Sequence, residues 1–459
     1  MSNFGAIGVD LATESARAIL LDSDANIIGR VSATLAPVQR GEDGRRTQDP
    51  QSWISATAEV LTAISKIAQQ NHMTPQALTI SATSGTFVLV DDANQPIALG
   101  AMYNDGRASN PLDRALEIIA EVNPAQHLDL LHVPEFVIRW LTQSYDIATD
   151  WSHAMKTGVD LHTKNWNLTV EERAEKANIS LPRVVAPGHN IGELSFSRAE
   201  ELGLPQLAIY AGMTDGCTGQ ISAGGTQLGS AVTTLGTTLV LKVVGEREIV
   251  GPGYYSHLLP EDRWLGGGAS NIGGISLQYI APAAELTSEL KRLDGLAEVR
   301  GPASVVTYPL VGRGERFPFP SQEIMELSSG DPIDEIDKYR AILEGIAFTE
   351  RYAYEILEMA GADLSGELTT VGGGAHSATW CTIRATILGR PIIARSESGS
   401  DLGAAMIALA AHLGGDLAKS LDSIAVPKGD IFSPIETELD ALEESYQRFL
   451  ELTKSFQEP

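Results

Sequence analysis

Gly5-Ala6-Ile7-Gly8-Val9-Asp10-Leu11-Ala12-Thr13-Glu14-Ser15-Ala16-Arg17-Ala18-Ile19-Leu20-Leu21 is the stretch that decides how this chain is read. Residues 6–11 and 16–21 are apolar, β-prone runs with a short polar turn between them. Ser23-Asp24-Ala25-Asn26 makes a second turn, and residues 27–35 read as a third strand, so the chain opens with a strand meander. The meander leaves a carboxylate, Asp10, at the end of its first strand. A carboxylate there can hold Mg2+ through water beside phosphate oxygens. Asp also favours ordinary turns, so the position alone leaves both readings open.

A second meander lies farther along. Residues 230–234 and 238–244 flank the turn Leu235-Gly236-Thr237. Thr234-Leu235-Gly236-Thr237 echoes Asp10-Leu11-Ala12-Thr13, and each opens one half of the chain. Two such hairpins can grip a phosphate from both sides. Between them, Asp49-Pro50 precedes Trp53, Ile54, Leu61, Ile64 and Ile67 at helical spacing. Residues 77–81 and 87–90 read as strands, and 104–182 as a more polar, helical insertion over a cleft. Residues 207–211 form a strand ending at Gly212-Met213-Thr214-Asp215-Gly216, with a helix over 217–223. The strongest helix runs over 338–360, with Gly361 as its cap. A strand over 368–371 enters Gly372-Gly373-Gly374-Ala375. Helices follow over 377–388, 401–413 and 435–453, with a strand over 391–394.

The chain's 459 residues exceed one ordinary core, so two domains or more are expected. Lys+Arg number 33 and Asp+Glu 59, a net charge of −26 without any basic run. That excludes a nucleic-acid or anionic-membrane footprint, but not a nucleotide held by backbone N–H groups. The two cysteines, Cys217 and Cys381, form no CxxC pair, and the nine histidines show no metal-ligand spacing. No signal peptide or membrane span is visible, and the expected location is the cytoplasm.

The common nucleotide signatures are absent. Gly224-Gly225-Thr226-Gln227-Leu228-Gly229-Ser230 has the glycine spacing of a P-loop but lacks its lysine. Asp215, where a strand ends and a helix begins, can accept a proton from an alcohol, and it can equally cap the helix. The glycines at 372–374 permit close backbone approach to a flat ring or a phosphate, and Trp380 can stack on a base or fill a core. Thr83-Ser84-Gly85-Thr86 and Asn104-Asp105-Gly106-Arg107 can bind sugar hydroxyls or form surface turns. Glu344 and His376 read as structural.

Taken in order, these motifs give the chain a resemblance to the FGGY family of carbohydrate kinases. The pieces that carry it are Asp10-Leu11-Ala12-Thr13, Ala82-Thr83-Ser84-Gly85-Thr86, Tyr103-Asn104-Asp105-Gly106-Arg107, Gly212-Met213-Thr214-Asp215-Gly216, Leu235-Gly236-Thr237-Thr238, Leu343-Glu344-Gly345-Ile346-Ala347-Phe348 and Gly372-Gly373-Gly374-Ala375-His376-Ser377-Ala378-Thr379-Trp380. The resemblance implies an α/β chain of two actin-like (ribonuclease H-like) domains, each a mixed β-sheet flanked by helices, around a central cleft. The expected domains are 1–229 on the sugar side and 230–459 on the nucleotide side. The last helix, 435–453, is a candidate to pack back on the N-terminal domain.

The resemblance also implies roles. Asp215 is the expected catalytic base. Asp10 and Thr13 form the first phosphate and metal turn, with Asp10 near the acceptor sugar. Gly236 and Thr237 form the second phosphate turn, and Gly373, Gly374, Ser377 and Trp380 the adenine site. Ser84, Asp105 and Arg107 are sugar-contact candidates. The implied ligands are ATP, Mg2+ and a small sugar, in a monomer or homodimer. Ala12 stands where the family has glycine, Glu14 where it has a small residue, and His376 where it has lysine. Because Ala82-Thr83-Ser84-Gly85-Thr86 replaces the Met-His pair of typical xylulokinases, the expected acceptor is D-ribulose at its primary 5-hydroxyl, with D-xylulose or another polyol as the alternative. An actin-like ATPase and an inactive nucleotide-binding regulator are the competing readings.

Overall fold

The opening meander forms where the apolar runs place it. β1 (Phe4–Leu11), β2 (Ser15–Asp22) and β3 (Ile27–Thr34) pair antiparallel in sequence. The helix α1 (Pro50–Gln70) starts where Asp49 accepts the Gln51 N–H and Pro50 occupies the first turn. β4 (Thr74–Ala82) then returns parallel to β1. In chain order follow β5 (Ala208–Tyr210), α2 (Asp215–Ser222), β6 (Ala231–Leu235), β7 (Leu239–Gly245), β8 (Trp264–Ser270) and α3 (Ala283–Arg300). After them come α4 (Glu335–Met359), β9 (Leu368–Val371), α5 (Ala378–Leu388), β10 (Ile392–Ala394), α6 (Ser400–Leu413) and α7 (Leu439–Thr453). This computed structural model describes residues 4–457, leaving out the side chains of residues 283–287.

The chain divides into two units. One comprises Met1–Ser222, Leu258–Glu261 and Gly399–Val426; the other comprises Ala223–His257, Asp262–Ser398 and Pro427–Pro459. In the first, a six-stranded sheet runs Asn190–Glu193, β5, β4, β1, β2, β3. In the second, a seven-stranded sheet runs Tyr254–Leu258, β8, β7, β6, β9, β10, Asp430–Phe432. β1 pairs antiparallel with β2 and parallel with β4; β6 pairs antiparallel with β7 and parallel with β9. The echo between the two turns therefore sits on one strand pattern used twice. Mixed sheets flanked by helices are the α/β architecture that the sequence implied.

Helices cover the sheets through apolar faces. In the first unit, Trp53, Val60, Leu61 and Ile64 of α1 are buried beside strand residues such as Ile7 and Leu20. α6 lies against β1 so closely that a Cβ on Gly8 would come within 2.1 Å of the Asp401 carbonyl oxygen. Only glycine fits that position, and it lets the start of α6 approach the end of β1.

Two expectations change. Residues 104–182 hold the helices Pro111–Val122, Val133–Thr142, Trp151–Ala154 and Leu168–Lys176, but also strands. Leu128–His132 and Ile179–Ser180 join Phe87–Val90 and three shorter strands in a second six-stranded sheet of the first unit. These strands are too short to show a period-2 pattern. The last helix, α7, belongs to the second unit. Its Leu442, Tyr446 and Phe449 are buried in the second unit's core, where Phe449 meets Phe348, Tyr308 and Phe319. Among the described residues no helix is long and apolar enough to cross a membrane. Both cysteines are free and buried.

Candidate active site

Three carboxylates gather in the first unit. Asp10, near the end of β1, faces Arg17 across the hairpin and Ser81 on β4. Arg17 Nη2 donates to Asp10 Oδ2 at 2.5 Å. Oδ1 is buried and has no hydrogen-bond partner among the described residues. Burial pushes the Asp10 carboxyl up to about 7; Arg17 opposes this, while the nearby charges of Asp215 and Asp401 add to it. Asp215 is the first residue of α2, half-buried, with Oδ1 accepting the Gly216 N–H at 2.7 Å. The Ser400 hydroxyl donates to the Asp215 carbonyl at 3.1 Å, and the Ser81 and Thr218 hydroxyls lie 3.0 Å apart. These contacts hold the start of α2 beside β4 and α6. Asp401, at the start of α6, is buried and paired with Arg30 at 2.8 Å.

The first hairpin turn is closed by the Ala12 N–H donating to the Ser15 carbonyl at 3.0 Å. Ala12 does not adopt a positive φ, so the fold accommodates alanine where the family's pattern has glycine. Thr13 and the exposed Glu14 border a cavity of about 620 Å³ with Arg40, Arg46, Tyr103 and Asn104.

Among the sugar-side candidates, the buried Ser84 hydroxyl has no hydrogen-bond partner among the described residues. Asp105 and Arg107 are occupied with each other. Arg107 Nε and Nη2 each donate to Asp105 at 2.9 Å, and the N–H groups of Arg46 and Arg107 complete the carboxylate's bonds. Burial raises the Asp105 carboxyl, but these donors outweigh it and hold it below the usual range. This pair reads as a lock on its loop. Sequence reasoning missed His153. Its Nδ1 lies 2.5 Å from Asp150 Oδ2, its Nε2 is buried with no partner among the described residues, and the adjacent Ser152 hydroxyl lies 2.8 Å from that of Thr214. Burial lowers the His153 pKa, but Asp150, Glu135 and Asp215 outweigh it and leave it raised. Arg17 was also missed, although counting across a two-residue turn places it opposite Asp10.

Buried polar atoms are normally satisfied. Asp10 Oδ1, Ser84 Oγ and His153 Nε2 are among several exceptions in the first unit, and a polar ligand would satisfy such atoms. For Mg2+ the donor chemistry fits. Asp10 Oδ1 is a hard, unpaired oxygen, and magnesium is usually held by one or two carboxylates, water and substrate phosphates. Among the described residues no group of three or more His, Cys, Asp or Glu could hold a metal by itself.

The second unit contains a cavity of about 800 Å³, of the size that takes a nucleotide-sized ligand. Gly236, Thr237, Gly373, Gly374, Ser377 and Trp380, the six residues expected there, all line it. Gly372 has φ +88°, and a Cβ on it would lie 2.7 Å from the Leu235 carbonyl oxygen, so its glycine brings the two loops together. Gly373 faces open space. Trp380 is buried, and its indole N–H points to the Leu343 carbonyl at 3.3 Å, which makes it a fixed wall. Ile275, Leu277, Ile280 and Leu290 supply the apolar lining. Asp294 and Tyr339 also line the cavity, and sequence reasoning did not find them.

Comparison with known proteins shows the family. Residues 6–125 match the FGGY family of carbohydrate kinases, N-terminal domain, and residues 231–412 match its C-terminal domain. A protein of Staphylococcus epidermidis named "Xylulose kinase" is 26% identical over 437 residues, covering 88% of this chain and 87% of its own. The crystal structure of a xyloylose kinase from Brucella ovis superposes with TM-score 0.86 at 23% identity, covering 98% of this chain and 99% of its own. That of a gluconate kinase from Lactobacillus acidophilus gives 0.85 at 20% identity, with coverages of 99% and 98%.

Proposed function

Because the chain belongs to the FGGY family of carbohydrate kinases, we propose that it transfers the γ-phosphoryl group of ATP to the primary 5-hydroxyl of a ketopentose, D-xylulose before D-ribulose. The order reverses the expectation from Ala82-Thr83-Ser84-Gly85-Thr86, because relatives that align along most of the chain are named for xylulose.

The observation that carries the reading is the approach of Asp215 to Asp10 within one unit, beside buried polar atoms that lack partners. Asp215 has only its Oδ1 tied to a local N–H, which leaves Oδ2 to take the proton from the acceptor hydroxyl. General-base help of this kind is worth roughly 10²–10⁴-fold in rate. Ser84 Oγ and His153 Nε2 would orient the sugar through its other hydroxyls. Asp10 Oδ1 would hold hydrated magnesium, and Thr13 would face the phosphates. Magnesium, when bound, would neutralise charge on the phosphate oxygens, the main demand of phosphoryl transfer. Gly236, Thr237, Gly373 and Gly374 would offer backbone to the nucleotide, between the apolar residues of the second unit's cavity.

The test is ADP release by purified protein with ATP and Mg2+, in parallel with D-xylulose, D-ribulose, gluconate and glycerol. The proposal expects strong stimulation by D-xylulose and weaker stimulation by D-ribulose. Stimulation by gluconate or glycerol alone would remove the ketopentose, and no stimulation by any of them would remove the acceptor class.

A further inference from the structure

The nucleotide cavity of the second unit holds one carboxylate that no step above uses. Asp294, on α3, lies half-buried in the cavity wall. The Tyr339 phenol donates to its Oδ1 at 2.7 Å, and the Ser377 hydroxyl donates to its Oδ2 at 2.9 Å. The Ser377 donor is thereby used, and its oxygen also accepts the Trp380 N–H at 3.1 Å as the cap of α5. Burial, together with the Asp294 charge, keeps the Tyr339 phenol protonated. Tyr339 and Ser377 thus spend their donors in aiming the carboxylate, which keeps lone pairs of its own for a ligand. Among the described lining residues there is no Lys, Arg or His to neutralise it. The site offers a pure acceptor in an apolar wall, which suits a ligand edge that donates hydrogen bonds.

We infer that Asp294 is a specificity residue that accepts a hydrogen bond from the nucleoside, either the exocyclic amine of the base or a ribose hydroxyl. The inference rests on the ATP-dependent reading of the same cavity. A site built to bond a polar group rejects an analogue lacking it far more strongly than a hydrophobic pocket rejects a missing methylene. Ser377, expected in the adenine site, lines the cavity and also holds Asp294.

The experiment measures binding of ADP, IDP, 2′-deoxyADP and 3′-deoxyADP to the full-length protein by calorimetry, alongside the KM of the matching triphosphates. One analogue should bind roughly tenfold or more weakly than ADP. IDP as the weak ligand identifies the base amine, and a deoxy analogue identifies a ribose hydroxyl. In Asp294→Asn, and to a smaller degree in Asp294→Glu, that gap should close. Equal binding of all four diphosphates by the unaltered protein would overturn the inference, as would a gap that persists in both variants. Diphosphate binding needs no sugar, so an enzyme that binds ADP selectively but phosphorylates no ketopentose would refute the proposed reaction and leave this assignment standing.

Discussion

Asp10 and Glu350 are buried carboxylates beside the first strand of each unit, and they differ in what satisfies them. Glu350, on α4, has both oxygens engaged. Oε1 accepts from the Thr233 hydroxyl at 2.6 Å and Arg384 Nη2 at 2.7 Å, and Oε2 accepts from Arg384 Nε at 2.6 Å. Arg384 is fully buried and also donates to the Thr370 hydroxyl. Asp10 has one oxygen on Arg17, whose side chain is 41% exposed, and no partner among the described residues on the other. The same strand pattern thus carries a completed network in one unit and an incomplete one in the other. The completed network ties β6, β9, α4 and α5 together. The incomplete one leaves an oxygen for a ligand, at a cost that shows in the raised pKa of Asp10.

The strongest way to break this contrast is Arg384→Met, which strands the Glu350 charge in the core. Removing one partner of a buried pair costs about 3–5 kcal/mol, so the urea midpoint should fall sharply and ADP binding should weaken with it. A midpoint close to that of the unaltered protein would show that Glu350 needs no such partner.

A smaller effect of opposite sign is expected at Asp10. Burial pushes its carboxyl up to about 7 from the 3.8 of a free aspartate, so it favours the fold while protonated. That contribution is complete below about pH 3.8 and is lost as the pH rises through about 7. At pH 8 the protein therefore carries the penalty of a buried charge. Asp10→Asn removes that charge, and its Tm at pH 8 should rise by about 2 °C, with a smaller gain at pH 5. Turnover should be lost in the same variant. A lower Tm at pH 8 would mean that the Arg17 pair outweighs burial.

Much of this was legible in the sequence because it rests on local pattern. Phe87–Val90 and Leu368–Val371 are short β-prone runs followed by turns, and they form as read. α4 begins three residues before its apolar period does, because Asp334 caps it by accepting the Asp337 N–H. What stayed hidden is non-local. Nothing in α6 announces that Gly399–Val426 returns to the first unit; the clue is Gly8, whose missing side chain makes room for it. The aromatic faces that seat α7 on Phe348 and Tyr308 lie far away in the chain. Asp294 and His153 carried no motif, because each takes its meaning from neighbours on other elements. The cavity residues were legible because glycine turns advertise close backbone approach, whereas the bonds between Asp105 and Arg107 could not be read from their spacing.

The claim at the centre is that Asp215 performs chemistry in one unit while the other binds nucleotide independently of it. The direct measurement is ADP affinity by calorimetry and sugar-dependent ADP release, made on one preparation of Asp215→Asn. The account predicts affinity within about twofold of the unaltered protein and turnover reduced by roughly 10² or more. Near-normal turnover, or affinity lost together with turnover, would contradict it.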